Sequence, residues 1–151
     1  MNKFIAFMEK HFIPIASKIG SQRHLVAIRD GFIVTMPLMI LGSFGVLINN
    51  LPIPAYIDFM NGIFGEGTWQ AFGNNLSAGT FSILALLIAF TVSYNLAKSY
   101  DQDALGAGAI SVASFFALGA MATDADGLLT AAGLGSQGLF LALIVAIIST
   151  E

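Results

Sequence analysis

The fold of this chain is decided by residues 29–50, RDGFIVTMPLMILGSFGVLINN. From Gly31 to Ile48 this stretch has 18 residues without a charge. As an α-helix it would be about 27 Å long, which is close to the ~30 Å thickness of the hydrocarbon core of a bilayer. The helices of soluble proteins are rarely apolar on every face over such a length. The stretch therefore predicts a transmembrane helix.

The composition of the whole chain supports this interpretation. Of its 151 residues, 56% are hydrophobic and 10% are charged, and the mean hydropathy is +0.82. Soluble domains carry about 25% charged residues. The sequence has no cysteine, and its two histidines, His11 and His24, are not in a metal-ligand spacing. We therefore expect no disulfide, metal, other cofactor or nucleic-acid partner.

Uncharged runs predict four membrane spans, at residues 27–49, 76–97, 104–123 and 135–151. The last run is short against the ~20 residues that a crossing helix needs, so we expect the natural protein to continue beyond Glu151. The sequence thus predicts an all-α, polytopic membrane helix bundle. Residues 25–151 form its scaffold domain, and residues 1–24 form a separate N-terminal helix and turn.

The N-terminal segment has the pattern of an amphipathic helix. Its apolar side chains recur at helical spacing, whereas its lysines lie off that stripe, which suits a helix lying in the headgroup plane. The alternative is an ordinary helix packed on the bundle. Pro14 is expected to kink the helix because it lacks a backbone donor. The stripe comprises Phe4, Ile5, Met8, Phe12, Ile15, Ala16 and Ile19.

The connection at residues 49–75 is too apolar for a freely solvated loop. We expect a short helix at the membrane surface, with Tyr56 and Trp69 at headgroup level. The alternative is a connection that packs on the bundle and contacts no ligand.

Small residues predict two places where helices approach closely. Gly42 and Gly45 lie about one turn apart in the first span. The third span carries a longer stripe, which could pack within one chain or between two chains. This stripe comprises Gly106, Ala109, Ala113, Ala117 and Ala120.

Charge placement predicts the topology. The basic residues lie at or before the start of the first span, apart from Lys98, which follows the second span. The loops predicted on the other side carry acidic residues instead. The positive-inside rule therefore predicts a cytoplasmic N-terminus. The early basic residues are Lys3, Lys10, Lys18, Arg23 and Arg29, and the acidic ones are Asp58, Glu66, Asp124 and Asp126.

The sequence shows no catalytic motif. Four polar residues near the cytoplasmic interface, Arg23, His24, Arg29 and Asp30, could line an entrance, and His24 could contact a proton or a phosphate. Alternatively, all four anchor a helix end. Ionisable residues inside spans usually mark a substrate pathway, and none lies in the middle of a predicted span. This favours a scaffold role.

Residues 22–43, QRHLVAIRDGFIVTMPLMILGS, resemble the N-terminal signature of the membrane (IIC) component of bacterial phosphotransferase-system sugar permeases. The lactose/cellobiose/diacetylchitobiose class is the most similar. Residues 49–52, 94–97 and 138–151 also fit, so that the resemblance covers essentially the whole chain.

The resemblance implies the N-terminal scaffold part of a homodimeric permease in the bacterial cytoplasmic membrane. Such permeases take up a β-linked disaccharide, which a soluble IIB partner phosphorylates with phosphate received from IIA. The sugar-coordinating residues belong to the C-terminal half of the family, so no sugar-binding residue is expected here. A self-associating structural membrane protein without a substrate is the alternative, and an intramembrane enzyme is a third, weaker one.

Overall fold

The computed structural model describes Ile5, residues 7–119 and residues 133–151. All regular elements in these parts of the chain are helical, which confirms the all-α prediction. A π-helical turn, Met8–Phe12, precedes α1, and 3₁₀ turns precede α5 and α7 at Phe81–Ile83 and Ser136–Gly138. The α-helices are α1 (Ile13–Gly20), α2 (Arg23–Asn49), α3 (Pro54–Phe64), α4 (Thr68–Ala78), α5 (Leu84–Ser99), α6 (Ala104–Gly119) and α7 (Leu139–Thr150).

Helix α5 is the centre of the bundle and packs against α2, α6 and α7. Ile88, Val92 and Leu96 of α5 are completely buried. One face of α5 packs with Phe115 of α6 and with α7, and another face packs with α7 and with partly buried side chains of α2 such as Phe32. An all-round apolar sequence is what a helix surrounded by neighbours requires.

Hydroxyl groups connect the helices at buried positions. Ser111 of α6 donates a hydrogen bond to the Ala89 carbonyl oxygen at 3.0 Å. Thr91 donates to the Gly31 carbonyl oxygen at 3.2 Å, and the Ser93 and Thr150 hydroxyls are 2.7 Å apart. Bonds of this kind between helices are worth about 0.6 kcal/mol each in a membrane, and they satisfy groups that lipid cannot.

The expected close contacts at the two glycines of α2 are confirmed. Gly42 and Gly45 are buried. A methyl group at position 45 would lie 2.8 Å from the Gly73 carbonyl oxygen of α4, and one at position 42 would lie 2.9 Å from the Phe81 ring. Any side chain at either position would push these elements apart.

The predicted second span is interrupted. It was expected to run from residue 76 to 97, but α4 ends at Ala78 and α5 begins only at Leu84. Thr80 turns its hydroxyl back to the Leu76 carbonyl oxygen at 2.8 Å. The backbone N–H of Ala85, in the first turn of α5, donates to the Leu134 carbonyl oxygen, 2.9 Å away. The segment before α7 therefore supplies a hydrogen-bond acceptor at the interruption of the predicted span.

The other boundaries also differ from the predictions. Helix α2 begins at Arg23, so the expected boundary at residue 24 between the N-terminal segment and the scaffold falls inside a helix. The predicted fourth span is α-helical from Leu139 rather than from residue 135. The end of the predicted third span, with Ala120, Asp124 and Asp126, lies outside the described residues.

In the part of the chain that the structure describes, two helical stretches are long and apolar enough to cross a bilayer. They are Arg23–Asn49, with 27 residues, and Thr68–Ser99, with 32 residues, which joins α4 and α5. Only 22% and 39% of their most apolar windows are buried inside the protein. Exposed side chains such as Ile33, Ile40 and Phe44 would therefore face the hydrocarbon if the bundle lies in a membrane.

Helix α1 stands apart from this core. It has no buried residue, and a short break at Ser21 and Gln22 connects it to α2. A π-helical turn precedes Pro14, and in it the N–H of Ile13 donates to the Met8 carbonyl oxygen. Such turns accommodate an interruption of the regular backbone pattern. The kink expected at Pro14 itself stays a prediction.

Candidate functional site at the basic end of the bundle

One end of the bundle gathers the start of α2 and the ends of α5 and α7. The guanidinium carbon of Arg23 lies 4.9 Å from the ring centre of Tyr100, which follows α5. His24 Nε2 lies 2.6 Å from Glu151 Oε1, directly after α7. The two adjacent residues thus connect the N-terminus of α2 to the residues that directly follow α5 and α7.

Arg29 and Asp30 are not part of these contacts. Arg29 Nε donates to Asp30 Oδ1 at 2.8 Å, and both side chains remain partly exposed. The pair masks its own charge at the margin of the predicted span, which suits a helix end near a membrane surface. The structure therefore divides the four candidate residues into two groups, and their role as entrance or anchor stays a prediction.

An open pocket of about 520 Å³ lies at the same end, lined by Tyr100, Gln102, Thr150 and Glu151. Phenol, amide, hydroxyl and carboxylate groups can form hydrogen bonds to a polar ligand or a protein surface. No metal-binding cluster of His, Cys, Asp or Glu occurs in the part of the chain that the structure describes. Sequence reasoning missed these four residues because the ends of α5 and α7 meet only in three dimensions.

Among the described residues, the small-residue stripe of α6 lies away from the buried face of the helix. The buried face of α6 carries Gly108, Ser111 and Phe115. On the opposite side Ala109, Ala113 and Ala117 are exposed and Gly106 is half-buried, whereas Ala120 lies outside the described residues. Whether this stripe packs within one chain or between two chains stays a prediction.

The opposite end of the bundle is closed by α3 and α4. Trp69 is only 5% exposed, packs edge-on against the Tyr56 ring at 5.6 Å and donates to Asn61 Oδ1 at 2.8 Å. Asn49 of α2 donates to the Gln70 carbonyl oxygen, 2.9 Å away. This connection packs on the bundle through Trp69, whose ring and N–H both have partners inside the protein. The expected level of Tyr56 and Trp69 in the headgroup region stays a prediction.

Comparison with known proteins identifies the family. The family model described as "Phosphotransferase system, EIIC" matches residues 29–151. The chain is 44% identical to the lichenan permease IIC component of Bacillus subtilis and 44% identical to the cellobiose-specific EIIC component of Geobacillus stearothermophilus. Each match covers 100% of this chain and 36% of the relative.

A solved structure has the same fold. The crystal structure of the transporter ChbC, the IIC component from the N,N'-diacetylchitobiose-specific phosphotransferase system, matches with a TM-score of 0.85 and 42% identity. That match covers 96% of this chain and 36% of ChbC, so the chain spans about a third of the length of the proteins it matches. The resemblance noted in the sequence is confirmed, and the chain belongs to the EIIC family of the phosphotransferase system.

Proposed function

We propose that this chain is the N-terminal scaffold part of a sugar permease that translocates a β-linked disaccharide for phosphorylation by a IIB partner. The observation that carries the proposal is the similarity of the whole chain to sugar-specific EIIC components, together with the ChbC-like fold. The relatives are named for cellobiose, lichenan and lactose, and the solved structure for N,N'-diacetylchitobiose. EIIC components are integral membrane proteins of the bacterial inner membrane.

The interior of the described bundle supports a scaffold role. Alanine and aliphatic side chains, one phenylalanine and one tryptophan fill the core of the described residues. The buried hydroxyls of Thr35, Ser93 and Ser111 each bond to a helix carbonyl or to another hydroxyl group. A disaccharide needs several polar groups that are not already engaged in this way. In transporters that work by rocking, one part stays fixed while the other moves around the substrate, and this bundle suits the fixed part.

The proposal includes the arrangement in the membrane. Residues 1–24 form the interfacial segment and residues 25–151 the scaffold, surrounded by lipid and with the N-terminus in the cytoplasm. Arg23, His24, Arg29 and Asp30 then lie on the cytoplasmic side, where IIB acts and IIA supplies its phosphate. The chain is proposed to form a homodimer through the exposed stripe of α6. The opposite reading, a structural protein without a substrate, is not favoured by the named sugar specificities of the relatives.

A chimera tests the function directly. Residues 1–151 would replace the matching 36% of the Geobacillus stearothermophilus cellobiose component, and phosphoenolpyruvate-dependent phosphorylation of cellobiose would be measured in vesicles with the IIB and IIA proteins. We expect the chimera to phosphorylate cellobiose at a rate within about tenfold of the parent, because 44% identity preserves the helix contacts described above.

The matched control carries the same replacement with Gly31→Leu, which should abolish activity by separating α2 from α5. A chimera that inserts and assembles like the parent, but phosphorylates no β-linked disaccharide, would argue against the permease function and for the structural alternative.

A further inference from the structure

Helix α1 and the π-helical turn before it form an apolar surface that nothing in the described chain covers. Between half and 60% of each large apolar side chain is exposed along this segment, and α1 has no buried residue. These side chains are Phe7, Phe12, Ile13, Ile15 and Ile19. By contrast, Phe115 in the bundle is 1% exposed. A surface of this kind requires a partner outside the bundle.

The charge of the same segment differs sharply from that of the rest of the chain. Residues 1–24 contain four Lys or Arg residues and one acidic residue, Glu9. Residues 25–151 contain two basic residues, Arg29 and Lys98, and eight acidic ones. An anionic surface would therefore attract the N-terminal segment more strongly than the rest of the chain, where acidic residues outnumber basic ones.

The two lysines of the helical segment are placed for such an attraction. Lys10 and Lys18 are both exposed and lie off the stripe that contains Phe12, Ile15 and Ile19. A helix that lies in a membrane surface buries its apolar stripe at the level of the headgroups, and its flanking lysines then reach the phosphates. Arg23 is engaged differently, because its guanidinium stacks on Tyr100.

From these observations we infer that α1, with the turn before it, is an anionic-lipid docking site, which concentrates negatively charged phospholipids around the N-terminal end of the bundle. The apolar side chains provide the anchoring, and Lys10 and Lys18 select the headgroup. A lysine near an anionic membrane surface contributes about a fivefold preference, so the two together favour anionic over zwitterionic lipid by about 25-fold at low salt. The inference rests on the interfacial placement of residues 1–24 in the proposed function, but it requires neither the sugar nor the IIB partner.

The absence of cysteine from the sequence permits a clean test. Ser17→Cys, at an exposed position of α1, would carry a fluorophore in the full chain reconstituted into nanodiscs of phosphatidylcholine and phosphatidylglycerol. A fixed fraction of one lipid or the other would be brominated, because bromine quenches only nearby fluorophores. We expect brominated phosphatidylglycerol to quench several times more strongly than brominated phosphatidylcholine, and this ratio to fall in high salt.

Charge-removing variants separate headgroup selection from simple insertion. Lys10→Gln combined with Lys18→Gln should bring the quenching ratio close to one while quenching by both lipids persists. Lys98→Gln removes a lysine at the end of α5 and should leave the ratio unchanged. Equal quenching by both lipids in the unmodified chain, or a ratio that survives the double substitution, would overturn the lipid selection. If neither brominated lipid quenches the fluorophore in the chain that keeps Lys10 and Lys18, the membrane location of α1 is overturned.

Discussion

Gly31 of α2 and Val92 of α5 are in direct contact. A methyl group at position 31 would lie 2.6 Å from Val92 Cγ2 and 3.1 Å from the Val92 backbone nitrogen. The adjacent Thr91 hydroxyl donates to the Gly31 carbonyl oxygen from the same side. The distance between α2 and α5 is therefore set by the absence of a side chain at position 31. Small residues allow helices to approach closely in the same way at other contacts in membranes.

Substitution of Gly31 should weaken the bundle. We expect Gly31→Ala to cost about 1–3 kcal/mol, because the added methyl group overpacks the contact and the Val92 backbone cannot turn away. Gly31→Leu should cost more and separate α2 from α5. The midpoint of thermal unfolding in detergent measures both effects.

Gly62→Ala is the matched control, since Gly62 lies in α3 and a methyl group there would have no atom within 4 Å. We expect it to be neutral or to stabilise α3 by up to about 1 kcal/mol through helix propensity. Equal losses from Gly31→Ala and Gly62→Ala would contradict the packing role of Gly31.

The α6 stripe should act between chains and not within one. Ala113→Leu combined with Ala117→Leu places bulk on an exposed face, so the unfolding midpoint of the single chain should change little. If two chains meet there, the added side chains hold the helices apart, and the dissociation constant of the dimer should rise at least about tenfold, or 1.4 kcal/mol. Chemical cross-linking over a range of protein-to-lipid ratios measures this constant.

Ala71→Leu provides the comparison for this prediction, because Ala71 is an exposed alanine on α4 and outside the stripe. It should leave cross-linking unchanged. A double variant at positions 113 and 117 that cross-links like Ala71→Leu would remove the stripe from the proposed dimer contact.

Sequence reasoning identified the features of the fold that depend on lipid. The charge-free length of residues 31–48 predicted α2, and the spacing of Gly42 and Gly45 predicted its contact surface. Both depend on local sequence, because a bilayer demands a long apolar helix and a close helix crossing demands a residue without a side chain. Charge content alone was enough to place the chain among membrane proteins.

Features that depend on contacts between distant residues were not predicted. The break before α5 is completed by the hydrogen bond from Ala85 to the Leu134 carbonyl oxygen, 49 positions along the chain. The location of Trp69 depends on Tyr56 and Asn61, which only the turn between α3 and α4 brings near. Arg23 and His24 were recognised as candidates, but their partners Tyr100 and Glu151 directly follow the distant helices α5 and α7.

The contact between Arg23 and Tyr100 should contribute modestly to the attachment of α2. Tyr100→Leu removes the ring face beneath the guanidinium, and we expect a loss of about 0.5–1 kcal/mol, the usual size of an exposed cation–π contact. Tyr100→Phe keeps the ring and should behave like the unmodified chain. The two variants are compared by their unfolding midpoints in detergent, and an equal loss in both would assign the effect to the hydroxyl group instead.

The topology is tested with single cysteines in the cysteine-free chain. The two substitutions are Asp58→Cys, on α3, and Gln102→Cys, between α5 and α6. Both positions are exposed, and they lie at opposite ends of the bundle. With the N-terminus in the cytoplasm, a membrane-impermeant maleimide added to intact cells should label position 58 and spare position 102. Inside-out vesicles should show the reverse.

The physical reason is the charge at the end of the bundle that contains Gln102. Lys98 and the N-terminal basic residues lie at that end, and moving their positive charges across the membrane against the potential is unfavourable. Labelling of position 102 in intact cells would invert the proposed orientation, and labelling of both positions from one side would contradict the number of crossings between them.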